Sequence, residues 1–419
     1  MLFRISFVIV GILALIAIGW FGLGLYTWYQ RTQSDYRLEF LSDGRIISHE
    51  NTGTTSQSIS GQGSDDGSTR KSETDAGVAG DVIAKDLVAP VGLVPLSGAR
   101  VITVERNGQI SIVFPDQSVS KIGIIPGVLS GGELGVVSIA PASNIVADQP
   151  EFYALFSYRE SAGEIFNKVS KIAVIGATGS SVTSGRVTED ILIDRIPTSS
   201  NNNSGVVALG SDGIIWVVTG DAGRAVQVQD QQSVAGKVLR FWPNRQVPTD
   251  NPIAGSPVYA SGFRRPLGIT WNDRGEGFVI DAGNNGYDEI NKLVVGGNYG
   301  WPIVGSCWSE VGATFIDPLI CSGKNSWSPS GLDWLTFSAS SSSDILIMSG
   351  LASKTLYEVS LPRATSTNFK VRSVLKGTYG RLRAVMTLGG DVWFVTSNRD
   401  SAGSSQIGDD KIIRLSLPQ

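Results

Sequence analysis

From Ile83 onward the chain is written in short apolar runs rich in Val, Ile, Leu and Trp, each broken by glycine, asparagine or serine. That is the pattern of strands and tight turns, not of helices. Residues 100–113, RVITVERNGQISIV, alternate apolar with polar positions around Asn107-Gly108, a pair that favours a two-residue hairpin turn. Comparable units begin at Gly92 (GLVPLSGARVITV), Gly135 (GVVSIAP), Gly205 (GVVALGSDGIIWVV), Gly268 (GITWNDRGEGFVI), Gly331 (GLDWLTFSASSSSDILIM) and Ala384 (AVMTLGGDVWFVT), 43 to 70 residues apart. Each interval has room for four short strands, so the six units predict an all-β, six-bladed β-propeller over residues 83–419. A two-sheet sandwich, the rival all-β architecture, does not need so many recurring hairpins.

The chain before residue 83 follows other rules. Ile5 to Tyr29 run for 25 positions without a charge, which at about 1.5 Å per residue spans a bilayer. The run ends on Trp28 and Tyr29, where interfacial aromatics belong, and not on the small residues of a cleavage site. Residues 1–31 are therefore expected to be a signal-anchor, with a transmembrane helix over 5–29 and the propeller on the extracytoplasmic side. Residues 32–82 are read as a flexible linker. Between Asn51 and Gly80 the chain is mostly Ser, Thr, Gly, Gln and Asp, too poor in apolar groups to fold alone. Its root-mean-square reach is about 30 Å. The chain's one histidine, His49, stands at the edge of this stretch.

Charge and cysteine content narrow the partners. With 17% charged residues, a net charge of −4 and no run of Lys or Arg, no nucleic-acid partner is expected. Cys307 and Cys321 are candidates for a disulfide in an exported domain, contributing roughly 3 kcal/mol by chain entropy. Two free thiols are the alternative. Neither their spacing nor their neighbours suggest a metal knuckle.

One stretch raises a chemical question. In SSNNNSGVVALGSDG, residues 199–213, three amides precede a strand-turn-strand unit. Its surroundings carry a family likeness. Residues 258–302 (VYASGFRRPLGITWNDRGEGFVIDAGNNGYDEINKLVVGGNYGWP), 236–252 (GKVLRFWPNRQVPTDNP) and 380–398 (GRLRAVMTLGGDVWFVTSN) resemble segments of the glucose/sorbosone dehydrogenase family. GGNYGWP is the most specific of these, and the likeness extends over roughly Leu87 to Leu417. Members of the family are six-bladed propellers, and some oxidise sugar CH–OH groups with pyrroloquinoline quinone (PQQ).

The resemblance implies a set of site residues. Arg264, with Arg265 in place of an Asn, and the pair Arg381 and Arg383 stand where the family holds PQQ, and guanidinium forks suit its carboxylates. Gly283 and Asn284 stand where backbone carbonyls hold a calcium that polarises PQQ. Asp288, Glu289 and the carbonyl of Tyr299 stand at a second, structural calcium region, and hard oxygen ligands suit that ion. Ala352 replaces a family Lys, with Lys354 two places on, and Ser130 replaces a Gln. The plainer counterparts of these roles are arginines paired with loop carboxylates, and Asp288 and Glu289 capping turns.

Oxidising the sugar needs a base for the hydroxyl proton. The family's histidine falls on Asn202, and a neutral amide accepts no proton near neutral pH. Asp221, in TGDAG, is a candidate substitute or simply a turn cap; Asp281, in IDAGNN, has the same two readings. Three functions follow. The first is a membrane-tethered, PQQ-dependent aldose dehydrogenase, for which Asn202 makes activity an open matter. The second is a non-catalytic extracytoplasmic propeller that binds a glycan, peptide or anionic ligand. The third is a calcium-dependent lactonase-type propeller using Asp221, Asp281 and the amides Asn201, Asn202 and Asn203, which the family likeness disfavours.

Overall fold

The computed structural model describes residues 36–40, 46–50, 79–143, 149–176, 185–200, 202–307, 314–335, 343–363 and 369–416; the expected membrane helix, 5–29, lies outside them. Among the described residues no helix is long and apolar enough to cross a membrane. Among the described residues six sheets, five antiparallel and one mixed, stand in a ring around a central channel. Their innermost strands are Pro90–Leu96, Val136–Pro141, Gly205–Leu209, Pro266–Trp271, Pro329–Leu335 and Leu382–Leu388, which define blades 1 to 6. Every unit read from the pattern begins within or beside one of these strands.

Alternation explains why each blade is apolar on both faces. Along Glu151–Arg159 of blade 2, Phe152, Ala154 and Phe156 pack toward blade 1 while Tyr153 and Leu155 pack toward blade 3. Six core clusters result, one between each neighbouring pair of blades. The ring closes through Asp81–Ala84, which pairs with Ile412–Ser416 as the outermost strand of blade 6. Leu87 and Asp410 exchange backbone hydrogen bonds at 3.1 and 2.9 Å. The buried Asp410 carboxylate also accepts from the N–H groups of Ala89 and Asn398.

The stretch read as linker, 32–82, is not strand-free. Tyr36–Phe40 and Ile46–Glu50 form an antiparallel pair, and the first of them lies parallel to Ile320–Cys321, widening blade 4 to six strands. Val82 also belongs to the closing strand. YRLEF and IISHE flank Asp43-Gly44, a turn signal that the polar composition of 51–80 overshadows. His49 lies in the outermost strand of this sheet. Cys307 and Cys321 are disulfide-bonded with Cα atoms 5.6 Å apart, which ties the loop carrying GGNYGWP to blade 4.

Because strands alternate in direction, the connections entering each innermost strand share one face with the turns between second and third strands. This upper face carries the functional candidates. The turns between first and second strands form the lower face.

Candidate functional site

The amide triplet splits into different roles. Asn203 is buried and knots blade 2 to the upper face. Its Nδ2 donates to the Glu133 carbonyl at 3.1 Å and to Ser157 Oγ at 3.0 Å, and its Oδ1 accepts from Asn167 Nδ2 at 2.7 Å and Thr198 Oγ1 at 2.8 Å. Ser157 in turn donates to Asn167 Oδ1 at 2.8 Å, so the polar ring is closed. Asn202 is half-buried with φ at 66°, a left-handed conformation that Asn tolerates better than most residues. Its side chain makes no hydrogen bond among the described residues. Asn201 lies outside the described residues.

Beside this knot sits an arginine cluster. Arg265 Nη2 pairs with Glu133 Oε1 at 3.0 Å, and Glu133 Oε2 accepts from the Asn203 N–H at 2.9 Å. Arg106, on the hairpin turn of blade 1, donates to the Glu133 carbonyl at 3.2 Å. A Cβ on Gly135, at φ 131°, would lie 2.4 Å from the Arg106 carbonyl, so glycine is what lets the two chains approach. Arg381 pairs with Asp400 at 2.9 Å. Arg383 is buried, lines the channel of about 660 Å³, and donates to the Val137 carbonyl of blade 2 at 3.1 Å.

The electrostatics of this cluster are unbalanced. Four guanidiniums converge on two carboxylates, those of Glu133 and Asp400. Burial first, then Arg106 and Arg265, pulls the Arg383 pKa down; burial also lowers that of Arg106. Arginine nevertheless stays protonated in proteins, so the surplus is positive charge. The Nε atoms of Arg106 and Arg265 are buried without a partner. Unused, charged donors of fixed geometry fit a carboxylate-bearing ligand.

Arg106, Glu133 and Asp400 were not among the residues expected from the sequence. Ser130, the position expected at the first-blade contact, is exposed three residues before Glu133. Ala352 and Lys354 are exposed on an upper turn of blade 5. For Arg106 a signal existed, since it adjoins the Asn107-Gly108 turn. Glu133 and Asp400 become visible only when the ring brings their loops together.

Arg264 points elsewhere. Its Nη1 donates to the carbonyls of Ala282 and Gly283 at 3.1 and 2.7 Å, and its guanidinium lies 5.4 Å from the Trp301 ring. One lone pair of the Gly283 carbonyl, at the expected first calcium site, is thus taken up by the Arg264 guanidinium. Asp281 accepts from the backbone N–H groups of Arg264 and Arg265 at 2.8 and 2.6 Å, and burial pushes its pKa up to about 7. Asp221 accepts from Gly223 N at 2.8 Å and Trp301 Nε1 at 2.9 Å. Both acids accept backbone hydrogen bonds of their loops, and Asp221 also holds the Trp301 indole.

Of the second calcium region, Asp288 is taken up as a clamp, accepting from Gly283 N, Ser326 Oγ, Trp327 N and Ser328 N at 2.7–3.0 Å. Glu289 differs. It is half-buried and accepts from Asn291 Nδ2 at 3.0 Å, with no ion pair among the described residues. Burial and then Asp281 raise its pKa well above the carboxylate range. Glu289, Asp281 and Tyr299 border a small cavity of about 20 Å³. A buried carboxylate without a cation is costly unless it is protonated or an ion joins it. No group of three or more His, Cys, Asp or Glu side chains suited to a metal occurs among the described residues.

The GGNYGWP loop supplies the wall of the site. It climbs the outer edge of blade 3, with Tyr299 N donating to the Ser261 carbonyl at 2.9 Å and Trp301 N to that of Gly262 at 3.2 Å. Gln229 Nε2 holds the Trp301 carbonyl at 2.7 Å. The segment bearing Gln229 is pinned by Lys237, fully buried, whose Nζ donates to the carbonyls of Val228 and Ala235 at 2.6 and 2.9 Å. Burial lowers the Lys237 pKa to about 8.

Comparison with known proteins places this architecture. The model of the Glucose / Sorbosone dehydrogenase family matches residues 87–406. The chain is 30% identical over 156 residues to quinoprotein glucose dehydrogenase B of Acinetobacter calcoaceticus, a match covering 32% of this chain and 33% of that one. It is 25% identical over 195 residues to aldose sugar dehydrogenase YliI of Escherichia coli, covering 43% of this chain and 49% of the relative. The matched stretches thus span about a third and about half of those relatives. In three dimensions it is similar to the PQQ-bound aldose sugar dehydrogenase of Streptomyces coelicolor, with TM-score 0.71, 30% identity, and coverage of 81% of this chain and 98% of that one. The apo-form aldose sugar dehydrogenase of Escherichia coli shares the fold at TM-score 0.67 and 18% identity, with coverage of 82% and 100%.

Proposed function

Because the chain belongs to the glucose/sorbosone dehydrogenase family, we propose that it is a PQQ-binding propeller that oxidises aldoses poorly, having no base at the family's histidine position. One observation carries the binding half: four arginines converge on two carboxylates beside the channel, with buried donors unused. Arg106, Arg265, Arg381 and Arg383 would hold the carboxylates of PQQ. When bound, PQQ supplies the hydride acceptor.

The chain's own residues would position the sugar over the channel mouth. Asn202 can hydrogen-bond a sugar hydroxyl but cannot take its proton. Glu133 is held by Arg265 and the Asn203 N–H, and Asp221 by Trp301 and Gly223. A positioned base contributes about 10²–10⁴ in rate, and that factor is what the site lacks. The half-buried Glu289 is proposed to take up a calcium ion with the Tyr299 carbonyl, as a structural tie and not part of the chemistry. Residues 1–31 are proposed to anchor the propeller in a membrane on the extracytoplasmic side, where the disulfide would persist.

The second reading, a non-catalytic propeller for some other anion, is favoured by Asn202. Titrating the purified protein with PQQ, followed by cofactor absorbance, separates the two. Saturable binding with faint dye reduction by aldoses supports the proposal; absence of PQQ binding overturns it in favour of the second reading.

A further inference from the structure

The lower face holds a separate cavity of about 400 Å³ between blades 3 and 4. The strand Pro266–Trp271 begins beside Arg265 and ends with Trp271 in this cavity. At about 3.3 Å per residue the two sites lie roughly 17 Å apart along that strand.

Its walls combine three aromatic rings, those of Trp216, Tyr259 and Trp271, with the charged side chains of Asp212, Arg240, Glu276 and Lys292. Trp216 packs against Tyr259 and Trp271 with ring centroids 4.9 and 5.3 Å apart. The Arg240 guanidinium lies over Tyr259 at 4.7 Å and is held by Asp250. Lys292 pairs with Glu276 at 2.8 Å, and Asp212 stands on the turn opposite. Trp216 is 5% exposed, and its indole N–H has no acceptor among the described residues. Gly210 and Gly277 line the cavity where a Cβ would come within 2.8 Å of Trp216 Nε1 and 3.0 Å of Trp271 Nε1. A side chain at either glycine would crowd those indole edges.

We infer that this cavity binds a short neutral saccharide. The charges on its walls balance, two acids against two bases, which disfavours a strongly charged guest. Aromatic faces suit the C–H face of a sugar ring, while the polar side chains of Asp212, Arg240 and Lys292 on the same walls suit its hydroxyls. An unpaired indole N–H is a donor that a hydroxyl oxygen satisfies. The volume is that of a small-ligand pocket. This site stands independently of PQQ and of the chemistry on the upper face.

Trehalose and methyl β-cellobioside are suitable probes, because neither has a free anomeric hydroxyl for an aldose dehydrogenase to oxidise. Binding to the native protein is read by intrinsic tryptophan fluorescence and by saturation-transfer NMR. The expected result is saturable millimolar binding of at least one probe, weakened roughly tenfold or more by Lys292→Met and by Trp271→Phe. Each variant is first shown to melt cooperatively, and Lys292→Met leaves the PQQ titration unchanged. No saturable binding of either probe, or binding that ignores both substitutions in folded protein, overturns the inference.

Discussion

Asn203→Ala is the substitution whose cost follows most directly from the geometry. The native side chain makes four hydrogen bonds at 2.7–3.1 Å to Glu133, Ser157, Asn167 and Thr198. Alanine removes all four. The hydroxyls of Ser157 and Thr198 can rotate to other acceptors and the Glu133 carbonyl still accepts from Arg106, but the Asn167 Nδ2, on a residue 1% exposed, keeps its place without a partner. At roughly 1–3 kcal/mol for a buried polar group left unsatisfied, the loss is about 1–3 kcal/mol. Equilibrium urea unfolding, followed by fluorescence and by circular dichroism, measures it. The double variant Asn167→Ala/Asn203→Ala should cost little more than Asn203→Ala alone, because the orphaned amide is removed with its partner. A loss under about 0.5 kcal/mol, the level of an ordinary surface change, would refute the assignment of Asn203 to structure. The amide would then be free for ligand.

Two further outcomes test the electrostatics. Lys237 has its folded pKa lowered to about 8 by burial, against about 10.4 when unfolded. The folded state therefore releases its proton first, and stability from this group rises as pH goes from about 8 to about 10.4. Lys237→Met abolishes that rise in urea midpoints, and persistence of the slope in the variant argues against the assignment. For Glu289, calcium should raise the melting temperature of the native protein and leave Glu289→Gln unmoved; in chelator, Glu289→Gln should be the more stable of the two at pH 8, since it removes a half-buried carboxylate with no cation. An equal calcium shift in both proteins removes Glu289 from the ion site.

The six innermost strands were legible because both faces of each blade are buried, so the apolar runs are dense and the turns between them sharp. Asn107-Gly108 and the glycines that open the units mark backbone conformations other residues resist. The hairpin over 36–50 was less legible, since it lies next to thirty residues of polar composition that dominate any window containing it. The site divides in the same way. Arg383 and Arg265 were legible from motif position. Arg106, Glu133 and Asp400 were not, because ring closure places blade 6 against blade 1 and no spacing along the chain encodes that meeting. Asn202 and Asn203 are chemically identical neighbours. The left-handed backbone at Asn202 sends one amide into solvent reach, while the other is locked into the core, and the sequence does not distinguish them. Arg264 was placed with the PQQ clamp by its motif, yet the carbonyls of Ala282 and Gly283 lie closer and claim its guanidinium.

The central claim is that this propeller retains the cofactor's anion site and lacks only the base. It is tested most directly by loading the native protein and Asn202→His with PQQ, confirming equal binding by absorbance, and comparing aldose-dependent dye reduction. The account predicts faint turnover in the native protein and a gain of about 10²–10⁴ with histidine at position 202. Equal binding with equal turnover in both proteins contradicts it.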